Sequence, residues 1–531
     1  MKKNLIIILG ITLLMTLLIF SSVIAALPGT GWWTSFSVQN IDDSNPDEDG
    51  SISMTAYPKV GEPYSGGPFP VSTFSALIYH PGKTGLSNYI NFAGGLPIGF
   101  QGSVVLSSNV KSAAAAEIAN YNSGSVGGGG TASGQYQAMG LDIADTMLRV
   151  PTVKHNYRNQ TTTIYVQAAE SDTEVKVTYR MNNGEDYHQE ITIPTNRMFV
   201  FDPANTLPGP IPSTNCGTNP NTSQCFGAAT IESLSGGKIA ATYVEHPHSG
   251  SPAPFILSTR AQTSADESSK LFGASVKNTY TTGSGTGITG DTIMNVGDAP
   301  ALVRISLTVT NKGNNAPSWV KIGDTFTDTA VINPGKSIVF SQWDNNLGGM
   351  PPGTFAAVQY ESINGSKNGI SYSAQPLVGA SNDAKDQPRL IGGKGKTVYK
   401  LFADSTATET VAVPIIKEYF EGITGALTVQ NVSSTAARIY FEYYEIGSDN
   451  SPRVFRTKNL INPGQAINNY AISRNNGLFE TVGSWDFSSL AGKQFSVRVY
   501  SDPAVDIICL VSENSPEGRF DIRNYEGFNI D

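Results

Sequence analysis

Apolar and polar residues alternate with a period of two along most of this chain. The clearest stretch is 411–444. There Leu427 and Val429 alternate with Thr428 and Gln430, and beyond the polar turn 431–435, Ala437, Ile439, Phe441 and Tyr443 alternate with Arg438, Tyr440, Glu442 and Tyr444. Such a period, carried by β-branched and aromatic residues, predicts strands with one buried face. Runs of this kind with turn residues between them predict antiparallel sandwiches. The one weak helical pattern, 113–120, falls where the repeat described next places a strand.

Three landmarks recur. A strand ending near Gln-Asn appears at 36–40 (FSVQN), 164–168 (IYVQA), 292–295 (TIMN) and 428–431 (TVQN). A Pro-centred turn before a strand starts from His80, Ile193, Ile332 and Ile461, and a Phe opening a strand pair recurs at Phe100, Phe226, Phe355 and Phe495. Pro81, Pro194, Pro334 and Pro463 are 113, 140 and 129 residues apart. That is a β-sandwich of about 100 residues plus a joint, too long for a solenoid repeat or propeller blade. The pattern predicts an all-β chain of four tandem Ig-like antiparallel β-sandwiches at 27–122, 148–262, 263–380 and 411–516. A leader at 1–26, a Gly/Ser-rich joint at 123–147, a second joint at 381–410 and a tail at 517–531 complete it.

Composition bears on compartment. Charged residues make up only 15% of the 531 and hydrophobic ones 39%, which fits an exported β protein with packed cores better than a disordered chain. Lys2 and Lys3 precede an apolar run at 5–20, and Val23-Ile24-Ala25 follows. This predicts a signal peptide cut after Ala25 or Ala26, with an uncleaved anchor as the alternative. No later stretch is long and apolar enough to span a membrane. Without Lys2 and Lys3, 33 basic residues face 44 acidic ones, a balance of −11, which argues against nucleic acid or anionic lipid as partners. LPGTG at 27–31 matches a sortase pattern but lacks the apolar stretch and basic tail that signal needs.

VPTVK (150–154) or VPIIK (413–417), then T-x-V-Q-N, a Pro-Gly turn and F-x-G-S (100–103) make up a pattern with a counterpart elsewhere. It resembles the tandem Ig-like repeats of bacterial secreted and cell-surface proteins, in particular uncharacterised repeat proteins of filamentous Chloroflexota-type bacteria. The resemblance covers nearly all of the chain after the leader and implies a stalk, surface layer, fibre or adhesin. Copy one departs from it by lacking the VPxVK strand before Trp32. Copy two has Ala168 in place of Asn, and copy three Met294 in place of Gln.

Chemistry-bearing residues are sparse. There is no G-x-S-x-G, no H-E-x-x-H and no Gly-rich turn from strand to helix, so no catalytic residue is assigned and the chain reads as non-enzymatic. Cys216 and Cys225 share one polar loop and predict a disulfide of about 2–3 kcal/mol in an oxidising compartment; Cys509 reads as a buried apolar side chain. Asn45, Asp47 and Asp49, followed by Gly50, form a candidate calcium loop, although Ala56 stands where an EF-hand has its glutamate. No other cofactor is expected. Glu245-His246-Pro247-His248 offers metal donors without a fourth ligand. Trp32 and Trp33 begin the core of copy one or form a sugar-stacking platform. The missing strand of copy one would leave a sheet edge, and Phe520, Ile522 and Tyr525 are candidates for a strand donated to it from another chain, building a filament. The expected function is a non-catalytic extracellular structural or adhesive protein of the cell surface, self-assembling into a layer or fibre. Its expected partners are copies of itself, cell-envelope components and glycans. The alternative is a carbohydrate-binding accessory module of an extracellular enzyme system.

Overall fold

The structure, a computed structural model, describes Leu27 and residues 31–530. The segments 45–48, 84, 86–87, 121–131, 214–224, 249–254, 283–284, 342–345, 387–393, 449–450, 471–476 and 515–521 are excepted. The chain is all-β, and alternation maps onto burial as the pattern requires. In Arg438–Glu445, for example, Ile439, Phe441 and Tyr443 are fully buried and their neighbours are not.

Copy one holds β1 (Trp33–Asn40), β2 (Gly50–Pro58), β3 (Tyr64–Val71), β4 (Ala76–Tyr79), β5 (Tyr89–Ile90), β6 (Gly102–Ser108), β7 (Ser112–Asn120) and β8 (Ala132–Gln137). Copy two holds β9 (Met147–His155), β10 (Gln160–Ala168), β11 (Thr173–Met181), β12 (Asp186–Ile193), β13 (Met198–Phe201), β14 (Cys225–Ser233), β15 (Ile239–Pro247) and β16 (Leu257–Arg260). Copy three runs through β17 (Lys270–Asn278), β18 (Tyr280–Thr282), β19 (Gly285–Asn295), β20 (Ala301–Lys312), β21 (Thr325–Ile332) and β22 (Ser337–Ser341). It continues with β23 (Thr354–Ser362), β24 (Gly365–Lys367), β25 (Ile370–Tyr372), β26 (Leu377–Asp386), β27 (Lys394–Lys400) and β28 (Phe402–Ala403). Copy four runs through β29 (Thr410–Glu418), β30 (Thr424–Asn431), β31 (Arg438–Glu445), β32 (Arg453–Thr457) and β33 (Ala466–Tyr470). It ends with β34 (Phe479–Val482), β35 (Lys493–Asp502), β36 (Ile507–Asn514), β37 (Arg523–Glu526) and β38 (Phe528–Ile530).

Each copy is a sandwich of two sheets with one strand order. The first sheet is β4-β1-β7-β8 in copy one, β13-β10-β15-β16 in copy two, β22-β19-β26-β27 in copy three and β33-β30-β36-β37 in copy four. The facing sheet runs β12-β11-β14-β9, β21-β20-β23-β17 and β32-β31-β35-β29 in copies two to four. The order is not that of an immunoglobulin domain, in which the last two strands share a sheet with the third; here the penultimate strand pairs with the second. The strands that follow Phe226, Phe355 and Phe495 take the same place in copies two to four, between the third strand and the first.

One turn fixes the register of all four. Phe74, Asn196, Gly335 and Gly464 donate their N–H to the carbonyls of Asn40, Ala168, Asn295 and Asn431, the last residues of the second strands. All four are left-handed, with φ of 58°, 62°, 66° and 74°. The expected landmark at Pro81 is therefore displaced: in copy one the equivalent turn is 72–75, and His80-Pro81 lies beyond β4. A phenylalanine at positive φ is strained by about 1–2 kcal/mol, which glycine would not be. Phe74 persists because its ring packs against Tyr444 (5.5 Å between centroids) and under the Arg498 guanidinium (5.2 Å). Phe74→Gly is expected to cost less stability than Phe74→Ala, the reverse of the usual order, because alanine keeps the strain and loses the ring. Urea denaturation of both variants checks this, and the usual order would refute it.

Three boundaries move. The segment 123–147 is not a joint, since β8 lies within it and pairs with β7 of copy one. Likewise 381–410 contains the rest of β26, then β27 and β28, all strands of copy three. The tail 517–531 contains β37 and β38, which pair with β36 and β29 of copy four. Copies one, three and four thus run past their expected ends, by one, two and two strands, while copy two ends within its expected bounds. Copy one does lack the first strand among the described residues: its second sheet is β3-β2-β6, with β6 at the edge.

The first strands bring in a lysine, buried in copies two and four and partly buried in copy three. Lys154, Lys277 and Lys417 pair with Glu245 (2.5 Å), Asp383 (2.5 Å) and Glu513 (3.5 Å) on β15, β26 and β36, which match the seventh strand of copy two as β16, β27 and β37 match its eighth. These acids lie opposite Thr162, Thr289 and Gly425, each six residues before the end of the second strand. The same position of copy one, opposite Thr34, is Ile118. Where no lysine arrives, no acid waits for it, because a lone buried carboxylate is costly.

Candidate functional site: a polar hub joining the four copies

The left-handed turns do more than set register. Asn196 O accepts from Ser103 Oγ of copy one, and Arg197 donates to Gly61 O of copy one at 2.8 Å. Lys336 of copy three pairs with Asp186 of copy two at 3.9 Å, and Ser337 donates to Pro151 O of copy two at 2.8 Å. Gly464 and Gln465 of copy four lie against Thr308 and Gly323 of copy three. Phe74 O of copy one accepts from Ser496 Oγ of copy four at 2.5 Å. Every copy therefore sits on the one before it, and copy one sits on copy four. A head-to-tail contact whose rotation closes makes a ring, here within a single chain.

The eighth strands meet at its centre. β8 lies against β16, β16 against β27, β27 against β37 and β37 against β8. Their sequences, ASGQYQ, LSTR, KGKTVYK and RNYE, are polar yet largely buried. Between copies one and two, Arg260 Nε donates to Gln137 Oε1 (3.1 Å) and Ser258 Oγ to Gln135 O (3.3 Å). The Arg260 guanidinium also holds both oxygens of Asp266 at 2.7 and 2.9 Å, and Lys400 of copy three reaches Asp266 at 3.2 Å. From copy four, Glu526 Oε1 accepts from Lys400 N and from Thr259 Oγ1 (3.3 Å). Gln135 donates to Glu513 at 2.9 Å, and Glu117 of copy one pairs with Arg523 and with Lys417 (3.6 Å) of copy four. Arg260, Lys400, Lys417 and Arg523 thus pair with Asp266, Glu117 and Glu513, and Glu526 joins them through neutral donors.

Electrostatics follow from that pairing. Burial alone raises the Asp266 carboxyl, but Arg260 and Lys400 outweigh it and hold the group well below the usual carboxylate range. Glu117 is likewise raised by burial and lowered further by Arg523 and Lys417, with a net downward shift. Both stay ionised, so the hub is a set of matched ions rather than a site poised for proton transfer. The crevice beside it, lined by Trp33, His80, Glu117 and Lys417, encloses about 40 Å³, far below the several hundred of a small-molecule site.

The residues singled out in the sequence do not converge. Tyr525 lies in β37, fully buried, and its hydroxyl donates to Ile415 O of its own copy. Ile522 is half-buried beside it, and Phe520 lies outside the described residues. The tail therefore completes its own sandwich and is not a strand free for donation. Asn45 and Asp47 also lie outside the described residues, while Asp49 accepts from Ser72 Oγ at 2.6 Å. Cys216 lies outside them too, and Cys509 is free and buried. Glu245 faces Lys154, and His246 and His248 contact the hydroxyls of Thr163 (2.9 Å) and Thr161 (2.7 Å), so the three face separate partners. The Trp33 ring packs at a tilt against His80, 4.6 Å between centroids, and Trp32 packs with Leu27 and Ile118 against Val244 and Ile256 of copy two. Neither forms an exposed platform. The hub itself went unseen in the sequence; its one signal was polar residues at strand spacing after each seventh strand.

No protein-family model matches the chain, and no curated protein matches it in sequence. Among solved structures, a tetra-tandem repeat from the extending region of a large adhesion protein aligns over 93% of this chain and 95% of that one. Its identity is 11% and its TM-score 0.09, a likeness too slight to carry an argument about arrangement or role.

Proposed function

We propose that this chain is a non-catalytic structural protein working outside the cell as a rigid tile of the surface. The observation that supports this is the hub: the buried charges link copy to copy instead of lining a cleft. A closed ring of four sandwiches suits a building unit better than a tether, because its length is folded away. Self-association and envelope components remain the proposed partners, without a donated strand. Electron microscopy of the source cell with the protein labelled tests the reading: an ordered layer or coat is expected, and label confined to the cell interior would refute it.

Glycan binding is the second reading. Trp319, 62% exposed on the loop between β20 and β21, favours it, since an exposed indole is the surface on which sugars stack. Cys216 and Cys225 belong to the proposal as a bridge that holds the loop ahead of β14. Alkylation of the exported protein without reductant, followed by mass spectrometry, should leave both unlabelled; labelling of both would end the idea.

A further inference from the structure

Of the three copies with a lysine–carboxylate pair, copy three alone adds another carboxyl group from its own second strand. Lys277 Nζ on β17 stands 2.5 Å from Asp383 Oδ2 on β26, so the pair spans the two sheets of the sandwich. Asp383 is 4% exposed in its side chain, and its other oxygen accepts from Thr289. The Phe355 ring lies 5.6 Å from the lysine nitrogen. Two residues along β19 from Thr289, on the same face, stands Asp291, 1% exposed. The equivalent positions, four residues before the end of the second strand, are Phe36, Ile164 and Leu427 in the other copies. Asp291 Oδ2 accepts from Tyr360 at 2.8 Å, while Oδ1 is buried with no hydrogen-bond partner among the described residues. A carboxyl group has replaced a core hydrophobe next to an amine and a second carboxyl group.

We propose that Lys277 and Asp383 join in an intramolecular amide bond that ties the first strand of copy three to its seventh, with Asp291 as the proton carrier. The chemistry balances without a co-reactant. The ammonium passes a proton to the Asp383 carboxylate within the pair, and the neutral amine attacks Cγ. Asp291 protonates the oxygen of the tetrahedral adduct and takes a proton from its nitrogen. The Cγ–O bond breaks, one water leaves and Asp291 is restored. Nothing is oxidised or reduced. Burial pushes the Asp291 carboxyl up to about 7, with Asp383 adding to the rise, which keeps a proton there to give. Exclusion of water also favours the neutral amide over the ion pair it replaces. Lys154–Glu245 serves as the internal control: Ile164 cannot carry a proton, so that pair stays ionic.

The test is mass spectrometry of the purified full-length protein, intact and after proteolysis. The proposal expects copy three to be lighter by one water, with the peptides holding Lys277 and Asp383 joined. Lys277→Arg should restore the full mass, and Asp291→Asn should do so with a circular dichroism spectrum like that of the parent. Separate peptides in the parent protein would overturn the bond. A link that forms fully in Asp291→Asn, or one found at Lys154–Glu245, would overturn the role given to Asp291.

Discussion

Asp266→Ala is expected to cost about 3–5 kcal/mol of unfolding free energy, because it leaves Arg260 and Lys400 as buried cations without their shared partner. Asp266 is 1% exposed, and the side chains of Arg260 and Lys400 are 6% and 4% exposed, so solvent cannot compensate. Asp266 also accepts from Thr263 N at 2.9 Å and Thr263 Oγ1 at 3.2 Å at the entry to the joint before β17. The surface pair Arg304–Glu361, with side chains 45% and 28% exposed, is the comparison: Arg304→Ala should cost about 0–1 kcal/mol. Urea denaturation of both variants decides the matter, and equal costs would contradict a hub held by matched ions.

The same carboxylate gives a pH dependence with a definite sign. Its folded pKa lies below the unfolded value of 3.8, so the folded state binds fewer protons there. The stabilisation is present above pH 4 and is lost as the pH falls below it, toward the folded pKa. Glu117, also lowered from 4.5, acts in the same direction. Asp266→Ala should flatten this acid limb relative to the parent.

Gly134→Val should open the seam between copies one and two. A Cβ at Gly134 would lie 2.5 Å from Ser258 Oγ and 3.1 Å from Ser258 N on β16. The hydroxyl can turn away but the backbone nitrogen cannot, so the extra methyls drive β8 off its neighbour. Overpacking of this kind costs about 1–3 kcal/mol, and here it also breaks a circuit with no slack. The variant should show a larger radius in solution scattering with its sandwiches still folded. Gly134→Ala combined with Ser258→Gly removes the closest contact and should recover most of the parent's compactness. A Gly134→Val protein as compact as the parent would mean that β8 and β16 do not touch.

Apolar alternation found what faces the inside of a single copy. It placed the second and sixth strands, gave VPxVK its strand, and located the repeating turn in three copies through Pro194, Pro334 and Pro463. Copy one misled because Phe74 occupies the position that Gly335 and Gly464 fill, and His80-Pro81-Gly82 offered a more familiar turn nearby. The eighth strands were invisible for a physical reason. Their outer faces are buried against other copies through Gln135, Gln137, Arg260, Lys400 and Glu526, and buried polar residues leave the same trace in a sequence as exposed ones. For that reason the Gly/Ser segment passed for a joint and β37 for a loose tail. The missing strand of copy one was legible because three siblings show what belongs there. Asp291 was not, since one aspartate among apolar neighbours announces nothing until its lysine and second carboxyl group are in place.

The four copies close into a ring, and small-angle X-ray scattering of the full-length protein tests that most directly. Closure predicts a radius of gyration of about 25 Å, close to the scaling of a compact chain of this length, with a distance distribution of one peak. A radius about twice that, with a long tail from four sandwiches laid end to end, would contradict it.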